Sequence, residues 1–218
     1  MFLERVAVVF GYWRGVKYSV NVLVGALETL VGGLVDVFLV SRGEMRKFLR
    51  RVKDKYRKVI YAQTLLTTEL PGLLDWVIDV TSEARRLGIL TVAGGPHASG
   101  DPYGSILSLG FDYAFVGEAE EAISNLVKTV LNGGDPSSVE GVARREGCKV
   151  KLNGRGFLRD LNAYPPYAPR HRLFNPIEIS RGCPFACKYC QVSYVFSSIP
   201  RHRDPEEIMR WGKKSRRS

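Results

Sequence analysis

Three cysteines stand within eight residues of one another near the end of this 218-residue chain. Cys183, Cys187 and Cys190 form a C-x3-C-x2-C pattern, while the fourth cysteine, Cys148, is distant in the sequence. Iron–sulfur clusters are held by cysteine thiolates, and this close spacing allows one loop to surround one cluster. Three local ligands leave one iron without a protein ligand, and catalytic metal sites need such an open coordination position. The pattern therefore predicts a 4Fe–4S cluster with Cys183, Cys187 and Cys190 as its metal ligands.

Three other interpretations of these cysteines stay open. A zinc site requires a fourth cysteine or histidine, which His202 could supply, although the resulting spacing is not that of a familiar zinc motif. A ferredoxin-type carrier requires a fourth cysteine, and Cys148 is badly placed because its neighbours have the pattern of a strand. The cysteines could also be three unrelated buried residues. Their clustering disfavours a secreted disulfide scaffold, in which the cysteines would be spread along a shorter chain.

Short apolar runs alternate with helical patterns over roughly the first 130 residues. Five short strands with interleaved helices predict a parallel, doubly wound α/β sheet with the flavodoxin-like order 2-1-3-4-5. Ligands of such sheets bind at the carboxyl ends of the strands. The predicted strands lie at 6–10, 35–40, 59–62, 89–93 and 113–116. The predicted helices lie at 18–31, 42–58, 71–87, 103–109 and 118–131.

A further strand, predicted at 177–180, leads into the sequence Arg181-Gly-Cys-Pro-Phe-Ala-Cys-Lys-Tyr-Cys190. This segment resembles the radical S-adenosylmethionine (radical SAM) superfamily, in which a CxxxCxxC loop follows the first strand of a partial β/α barrel. The resemblance implies that the three cysteines hold the cluster and that SAM chelates the iron that lacks a protein ligand. It also implies that Tyr189, before the third cysteine, lies near the adenine of SAM. The implied partners are SAM, an unknown substrate and, for an active enzyme, a reductant protein.

The N-terminal part resembles the cobalamin-binding domain that precedes the barrel in many radical SAM proteins. The resemblance rests on Gly94-Gly-Pro-His-Ala-Ser99 and on Phe111-Asp-Tyr-Ala-Phe-Val-Gly-Glu-Ala-Glu120, and Thr64-Leu-Leu66 matches an S/T-x-L contact of that family. The paired glycines would let the backbone approach the nucleotide tail of the cofactor. The resemblance implies the following cofactor-binding residues: Thr64, Leu66, Gly94, Gly95, Pro96, Gly117 and Glu118.

The sequence departs from the family in the loop after the first strand. The pattern Asp-x-His-x-x-Gly, whose histidine ligates cobalt in methionine-synthase-like domains, is absent from residues 11–17. Cobalamin could bind with no protein ligand on cobalt, or the domain could have kept the fold and lost the cofactor. His97 is either a cofactor or substrate contact or a loop residue bonded to the backbone. Glu118 and Glu120 are predicted to favour the start of the last helix through its dipole, with contacts at a domain interface as the alternative.

The resemblance divides the chain into three parts. Residues 1–140 are predicted to form the cobalamin-binding-type domain, 141–176 a hairpin and proline-rich linker, and 177–218 the first βα unit of a radical SAM domain. Only 28 residues follow Cys190, whereas one further strand–helix unit needs ~30. We therefore expect a chain truncated early in the barrel: a fragment, a truncated gene product, or half of a split protein whose missing barrel half is a separate chain.

The resemblance implies an ancestral activity of radical-based transfer, with methyl transfer as one such reaction. We expect the truncated chain to be inactive by itself, and no catalytic residue is assigned. A rival interpretation is a non-catalytic protein that binds cobalamin or a metal. A third interpretation is a fragment of a nucleic-acid-modifying radical SAM enzyme.

The net charge of +10 lies in the C-terminal third, since residues 141–218 contain seventeen basic and six acidic residues. This excess predicts either an anionic partner such as nucleic acid or a solvated basic face. The chain lacks an apolar run of the ~18–20 residues that cross a bilayer, and its first residues lack the pattern of a secretion signal. We therefore expect a cytoplasmic protein with no membrane partner.

Overall fold

A seven-stranded, mostly parallel sheet forms the centre of the molecule. The computed structural model describes residues 3–174 and 176–216. The strands are β1 (Leu3–Gly11), β2 (Val35–Val40), β3 (Tyr56–Thr64), β4 (Leu90–Gly94), β5 (Tyr113–Phe115), β6 (Val142–Glu146) and β7 (Lys149–Asn153). Their order across the sheet is β2-β1-β3-β4-β5-β6-β7.

Helices cover both faces of this sheet. They are α1 (Lys17–Leu30), α2 (Met45–Lys55), α3 (Leu74–Arg86), α4 (Gly95–Gly100), α5 (Glu120–Leu131), α6 (Val192–Val195) and α7 (Pro205–Arg216). The apolar residues of α1 and α5 join one core, whereas those of α2 and α3 join the other. Within β1, Val6 and Val8 pack against the first core and Ala7 and Val9 against the second, because successive side chains of a strand point to opposite faces.

The first five strands are parallel and have the predicted order 2-1-3-4-5, which confirms the doubly wound arrangement. The predicted count of five strands is wrong because the hairpin that follows joins the same sheet. Its strand β6 pairs antiparallel with β5, with Val142 opposite Phe115 and Ala143 opposite Ala114. Val142 and Ala143 are buried, so the hairpin extends the apolar core rather than standing apart from it.

Several element boundaries differ from the sequence prediction. β3 begins at Tyr56 rather than at residue 59, because the buried Tyr56 ring packs on Phe38 and its hydroxyl donates to Asp36. The helix predicted at 71–87 starts at Leu74, after a short 3-10 turn that contains Pro71. The helix predicted at 103–109 is a single helical turn at Gly104–Ser108.

The strand predicted at 177–180 is only partly formed. Two residues, Ser180–Arg181 (β8), pair antiparallel with Arg201–His202 (β9). In the first strand of a β/α barrel the pairing would be parallel. The part of the chain that the structure describes contains no parallel partner for β8, so the barrel unit stays a prediction.

The proline-rich segment predicted as a linker lies against α1. Tyr164, Tyr167 and Ala168 in this segment are buried. A Cβ atom added to Gly25 of α1 would lie 2.6 Å from the carbonyl oxygen of Tyr167. The absence of a side chain at Gly25 therefore allows this close approach.

Across residues 3–174 and 176–216, no helix combines the length and the apolar character that a membrane crossing requires.

The contact at Gly25 generates a stability prediction. Gly25→Ala should lower the free energy of unfolding by about 1–3 kcal/mol, because an overpacked contact outweighs the better helix propensity of alanine. The control is Gly43→Ala, since a Cβ at Gly43 meets nothing within 4 Å. Urea unfolding followed by circular dichroism measures both. Equal stability of the two variants would contradict the close contact between α1 and the proline-rich segment.

Candidate functional site

The cysteine loop, residues 182–191, begins directly after β8. The backbone N–H of Cys183 donates to the carbonyl of Ser197 at 3.0 Å, and the N–H of Cys190 donates to Cys187 at 3.0 Å. The Ser193 hydroxyl donates to the carbonyl of Cys183 at 2.8 Å. These bonds hold the loop through its backbone, and the Cys183 thiol makes a long hydrogen bond to the carbonyl of Phe185 at 4.0 Å.

Gly182 sets the entry into this loop. It has a φ of 101°, and a Cβ there would lie 2.8 Å from the carbonyl oxygen of Ile199. Glycine adopts this conformation without the steric cost that other residues incur. The Arg-Gly pair before the first cysteine is thus explained by the turn that it makes.

The donor chemistry of the loop fits an iron–sulfur cluster. Cys183, Cys187 and Cys190 are free and partly accessible. Within the described ranges, no group of three or more His, Cys, Asp or Glu side chains is arranged to hold one metal ion. This holds for the three cysteines with or without His202, so the fit to a cluster rests on the thiol chemistry and the spacing of the cysteines. Cys148 lies exposed in the turn between β6 and β7.

Two aromatic side chains of the loop project into solvent. Tyr189 is 93% exposed and Phe185 is 72% exposed. Apolar rings at such exposure are available to a ligand or to another surface.

A buried carboxylate joins the sheet to the segment that carries the cysteines. Arg201 of β9 forms a bidentate pair with Glu118, at 2.6 and 2.9 Å. The N–H of Leu158 donates to Glu118 at 2.6 Å, and Arg181 of β8 approaches the same carboxylate at 3.5 Å. The Glu118 side chain is 2% exposed, so these contacts replace the water that its charge has lost.

Arg181 is the other centre of this network. It pairs with Glu120 at 2.8 Å and with Glu178 at 2.8 Å. Burial by itself lowers the pKa of the Arg181 guanidinium, but the charge of Glu120 and the hydrogen bond to Glu178 raise it well above its ordinary value. The Arg181 guanidinium therefore stays charged at any physiological pH.

The prediction that Glu118 and Glu120 serve the start of α5 needs correction for Glu118, which lies before the N-cap, whereas Glu120 does lie in the first turn. The N-cap residue is Ala119, and no side chain caps that end. The Glu120 carboxylate also pairs with Arg181. Both glutamates therefore make the contact between segments that was the alternative interpretation.

A cleft of about 350 Å³ lies between the sheet edge and the cysteine loop. Five of the predicted cofactor residues line it: Thr64, Gly95, Pro96, Gly117 and Glu118. From the other side it is lined by Arg181, Gly182, Val192 and Phe196. The cleft thus adjoins both resembling motifs, but the cysteine motif lines it only through Arg181 and Gly182, and neither the three cysteines nor Tyr189 are among its lining residues.

Sequence reasoning missed the part of α1 that lines this cleft. Tyr18, Ser19, Val22 and Leu23 contribute to it. The sequence pattern of α1 could have indicated this, because Val22 and Leu23 are apolar residues that lie beside the buried stripe of the helix and extend it toward the cleft. Leu66, a predicted cofactor residue, instead packs partly buried against the core that contains α1 and α5.

The two predicted glycines have different roles. Gly95 has a φ of 88°, and a Cβ there would lie 2.8 Å from Thr64 and 2.9 Å from the carbonyl of Leu65. The loop is closed by two backbone bonds, from Leu65 N–H to Gly94 and from His97 N–H to Leu65. A Cβ at Gly94 would meet only Phe115, at 3.7 Å. Packing within the chain therefore explains Gly95, whereas Gly94 keeps free space.

The cysteine loop also reaches this glycine loop directly. The Gln191 amide donates to the carbonyl of Pro96 at 2.9 Å. His97 contacts the hydroxyl of Thr67 through Nδ1 at 3.3 Å. His97 is thus held by hydrogen bonds within the chain, from its backbone N–H to Leu65 and from its ring to Thr67.

No family model matches the chain. An uncharacterized methyltransferase of Synechocystis sp. (strain ATCC 27184 / PCC 6803 / Kazusa) is 23% identical over 150 residues, which are 69% of this chain and 26% of the methyltransferase. The anaerobic magnesium-protoporphyrin IX monomethyl ester cyclase of the same organism is 28% identical over 110 residues, which are 44% of this chain and 21% of the cyclase.

The fold is that of a solved radical SAM methyltransferase, TsrM from Kitasatospora setae, with cobalamin and a 4Fe–4S cluster bound. The two structures superpose with a TM-score of 0.71 and 15% sequence identity, over 97% of this chain and 45% of TsrM. The chain resembles radical SAM proteins that carry a cobalamin-binding-type domain. TsrM is also described with tryptophan as substrate and a SAM analog, so its ligands include the cluster, a SAM analog and cobalamin.

The chain spans about a quarter of the length of these curated relatives, with coverage of 26% and 21%, and under half of TsrM. Over the part that is covered, these similarities confirm the resemblance to radical SAM proteins with a cobalamin-binding-type domain, and they confirm the mixed α/β fold.

The glycine loop generates a paired prediction. Gly95→Ala should destabilise the protein by about 1–3 kcal/mol, because the new Cβ meets backbone and the φ is strained for alanine. Gly94→Ala should leave the melting temperature nearly unchanged, since its Cβ makes an ordinary contact. Differential scanning fluorimetry separates them. If Gly94→Ala were as destabilising as Gly95→Ala, the assignment of the close contact to Gly95 would be wrong.

Proposed function

We propose that this chain is an iron–sulfur protein of the radical SAM type that binds cobalamin. Cys183, Cys187 and Cys190 would hold a 4Fe–4S cluster, and SAM would bind the iron that has no protein ligand. When bound, a reduced cluster and SAM together supply the one-electron chemistry that starts radical transfer. The observation that supports this proposal most is the proximity of the two loops: Gln191 of the cysteine loop donates to Pro96 of the glycine loop, and Gly182 and Gly95 line the same cleft.

The chain itself would hold these groups in two ways. The three thiolates would supply the cluster ligands. The hydrogen bonds of the loop backbone would hold the cysteine Cα atoms in place. Tyr189 is exposed beside the third cysteine and is free to stack on an adenine ring. The residues of this loop would therefore bind and orient, and no side chain among them is proposed to exchange a proton.

Cobalamin would lie at the carboxyl edge of the sheet, where ligands of such sheets bind. Thr64, Gly95, Pro96 and Gly117 line the cleft at this edge, and Gly94, which is next to Gly95 but does not line the cleft, has room for a Cβ. The loop after β1 offers no histidine for cobalt, and its Tyr12 hydroxyl already donates to Asn21 at 3.0 Å. Binding would therefore rely on contacts to the nucleotide tail and corrin rim rather than on a bond from the protein to cobalt.

Methyl transfer is the reaction that the relatives support most, because TsrM and the Synechocystis protein are both named as methyltransferases. The cyclase is named for a different reaction. Transfer of a methyl group is therefore part of the proposal, and the substrate is left unnamed. The division into 1–140, 141–176 and 177–218 is likewise proposed, together with a reductant protein as a partner.

The nucleic-acid interpretation is not proposed, because part of the basic third has internal partners. Arg181 and Arg201 pair with glutamates, and the buried Arg203 donates to the carbonyl of Tyr164 at 2.9 Å. These arginines are unavailable to phosphates, which bind cations at accessible surfaces.

The cluster assignment has a direct test. Anaerobic reconstitution with iron and sulfide should give roughly four irons per chain and the broad visible absorption of such clusters. The triple variant Cys183→Ala, Cys187→Ala, Cys190→Ala should lose this iron, while Cys148→Ala should retain it. Iron uptake by the triple variant equal to that of the wild type would make the assignment wrong.

Cobalamin binding is tested by filling the cleft from α1. The exposed Ser19 lines the cleft, and Ser19→Trp should weaken hydroxocobalamin binding by about tenfold or more, since steric filling costs ~1–3 kcal/mol. The control is Ser82→Trp, at an exposed position of α3 on the opposite face of the sheet. Isothermal titration measures all three proteins. No heat of binding from a folded wild-type protein would reject cobalamin as a cofactor.

A further inference from the structure

The base of the cysteine loop carries two positive charges that oppose each other. In the register of β8 with β9, Arg181 lies directly across from Arg201, and the whole cysteine loop lies between these two strands in the sequence. Like charges directly opposite on neighbouring strands are destabilising. The ribbon is also only two residue pairs long, and such short isolated ribbons are marginal by themselves. The closure of the loop therefore needs an external partner.

Glu118 supplies that partner for Arg201 from the N-terminal part, whereas Arg181 pairs more closely with Glu120 and Glu178, at 2.8 Å each. The two carboxylate oxygens of Glu118 accept hydrogen bonds from the two Nη atoms of Arg201, at 2.6 and 2.9 Å. The nearest nitrogen of Arg181 lies 3.5 Å from the same carboxylate. The side chains of Arg201 and Arg181 are 11% and 17% exposed. Because all three groups are largely shielded from water, the attraction between them is much less screened than at the surface.

The backbone around Glu118 is fixed by contacts of its own. The N–H of Glu118 donates to the carbonyl of Gly156 at 3.0 Å, and the N–H of Gly156 donates to Val116 at 2.9 Å. A Cβ at Gly156 would lie 2.0 Å from the carbonyl oxygen of Glu118. The carboxylate is thus presented from a rigid position, which is what a positioning group requires.

We propose that Glu118 is a positioning residue for the cysteine loop. It acts through Arg201 and Arg181, and no contact between Glu118 and a thiol is involved. The inference rests on the proposed function of the loop as a cluster site, and it adds that the N-terminal domain determines whether the loop is closed. Since Glu118 also lines the cleft, one carboxylate borders the proposed cobalamin site and closes the cluster loop.

The first arm of the test needs no iron. Hydrogen–deuterium exchange of the full apo chain is compared between the wild type, Glu118→Gln and Glu121→Gln. Glu121 is the matched control, because it is exposed in the first turn of α5 and accepts a hydrogen bond from the neutral Tyr164 hydroxyl, at 3.2 Å, rather than from an arginine. In Glu118→Gln, peptides from 177–203 should exchange at least about tenfold faster while peptides from β1, β3 and β4 stay unchanged.

The second arm uses the reconstituted protein. Glu118→Gln should retain less iron after gel filtration and show a changed electron paramagnetic resonance signal on reduction. Glu118→Asp, which keeps the charge, should lie closer to the wild type in both measurements. A merely structural defect would instead lower the melting temperature without a difference between Asp and Gln in the signal.

The outcomes separate the two ideas. If the wild type takes up no iron, the proposed cluster function fails, and the exchange arm still decides the positioning role. Unchanged exchange of 177–203 in Glu118→Gln would overturn the positioning role, as would faster exchange spread over the whole sheet. Identical behaviour of Glu118→Asp and Glu118→Gln would also overturn it, since the charge would then not be what closes the loop.

Discussion

A charge cluster buried between the sheet and the cysteine segment holds the two parts of this chain together. Three arginines, at 181, 201 and 203, lie close to the glutamates at 118, 120 and 178. Isolated charges at such burial would be expensive, and pairing offsets that cost only when the hydrogen-bonding groups are largely satisfied. Removing the Glu118 carboxylate leaves the largely buried Arg201 without its carboxylate partner, whereas Arg181 would keep Glu120 and Glu178. The position of the cysteine loop therefore depends on groups that belong to the sheet.

This dependence explains why the C-terminal segment keeps its place with little apolar burial. Phe185, Tyr189 and Ile199 are exposed, and Val195 is the one member of residues 176–216 in the buried apolar core. Burial of apolar area, the usual source of stability, thus contributes little here. Directional contacts take its place: the Arg201 fork, the Gln191 bond to Pro96, and the hydroxyl of Tyr167, which donates to Trp211 at 2.6 Å.

The parts of the fold that the sequence predicted are those with a local signal. Apolar runs of four to six residues placed the five parallel strands, and right-handed crossovers left one common order for them. The hairpin was found, but its place in the sheet was not, because the alternation of 141–152 does not reveal which edge it pairs with. The three cysteines were equally visible, since spacing is a property of the sequence alone.

The long-range contacts had no such signal. Glu118 and Arg201 are separated by 83 positions, and nothing in their neighbourhoods distinguishes a buried pair from two solvated charges. The position of Glu118 before a helix instead suggested the dipole role, which is the commoner one for an acidic residue there. Gly95 shows the same limit. The sequence pattern identified a glycine loop, but only the structure shows that Gly95 has a positive φ and lies too close to the Leu65 carbonyl for a Cβ.

The geometry of the cleft links the two proposed binding events through a shared wall. One side includes Gly117, whose φ of 93° would bring a Cβ within 2.3 Å of the carbonyl oxygen of Gly156. The other side includes Gly182 of the cysteine loop and Val192 and Phe196, which follow it in the sequence. A ligand that fills the cleft would contact both sides, and it would therefore favour the docked loop over an undocked one by its difference in affinity for the two states. By reciprocity, a cluster that favours the docked loop would raise the affinity of the cleft by the same factor. Glu118 lies at the junction of the two sides, so the strength of this coupling is set by how firmly its carboxylate holds Arg201 and Arg181.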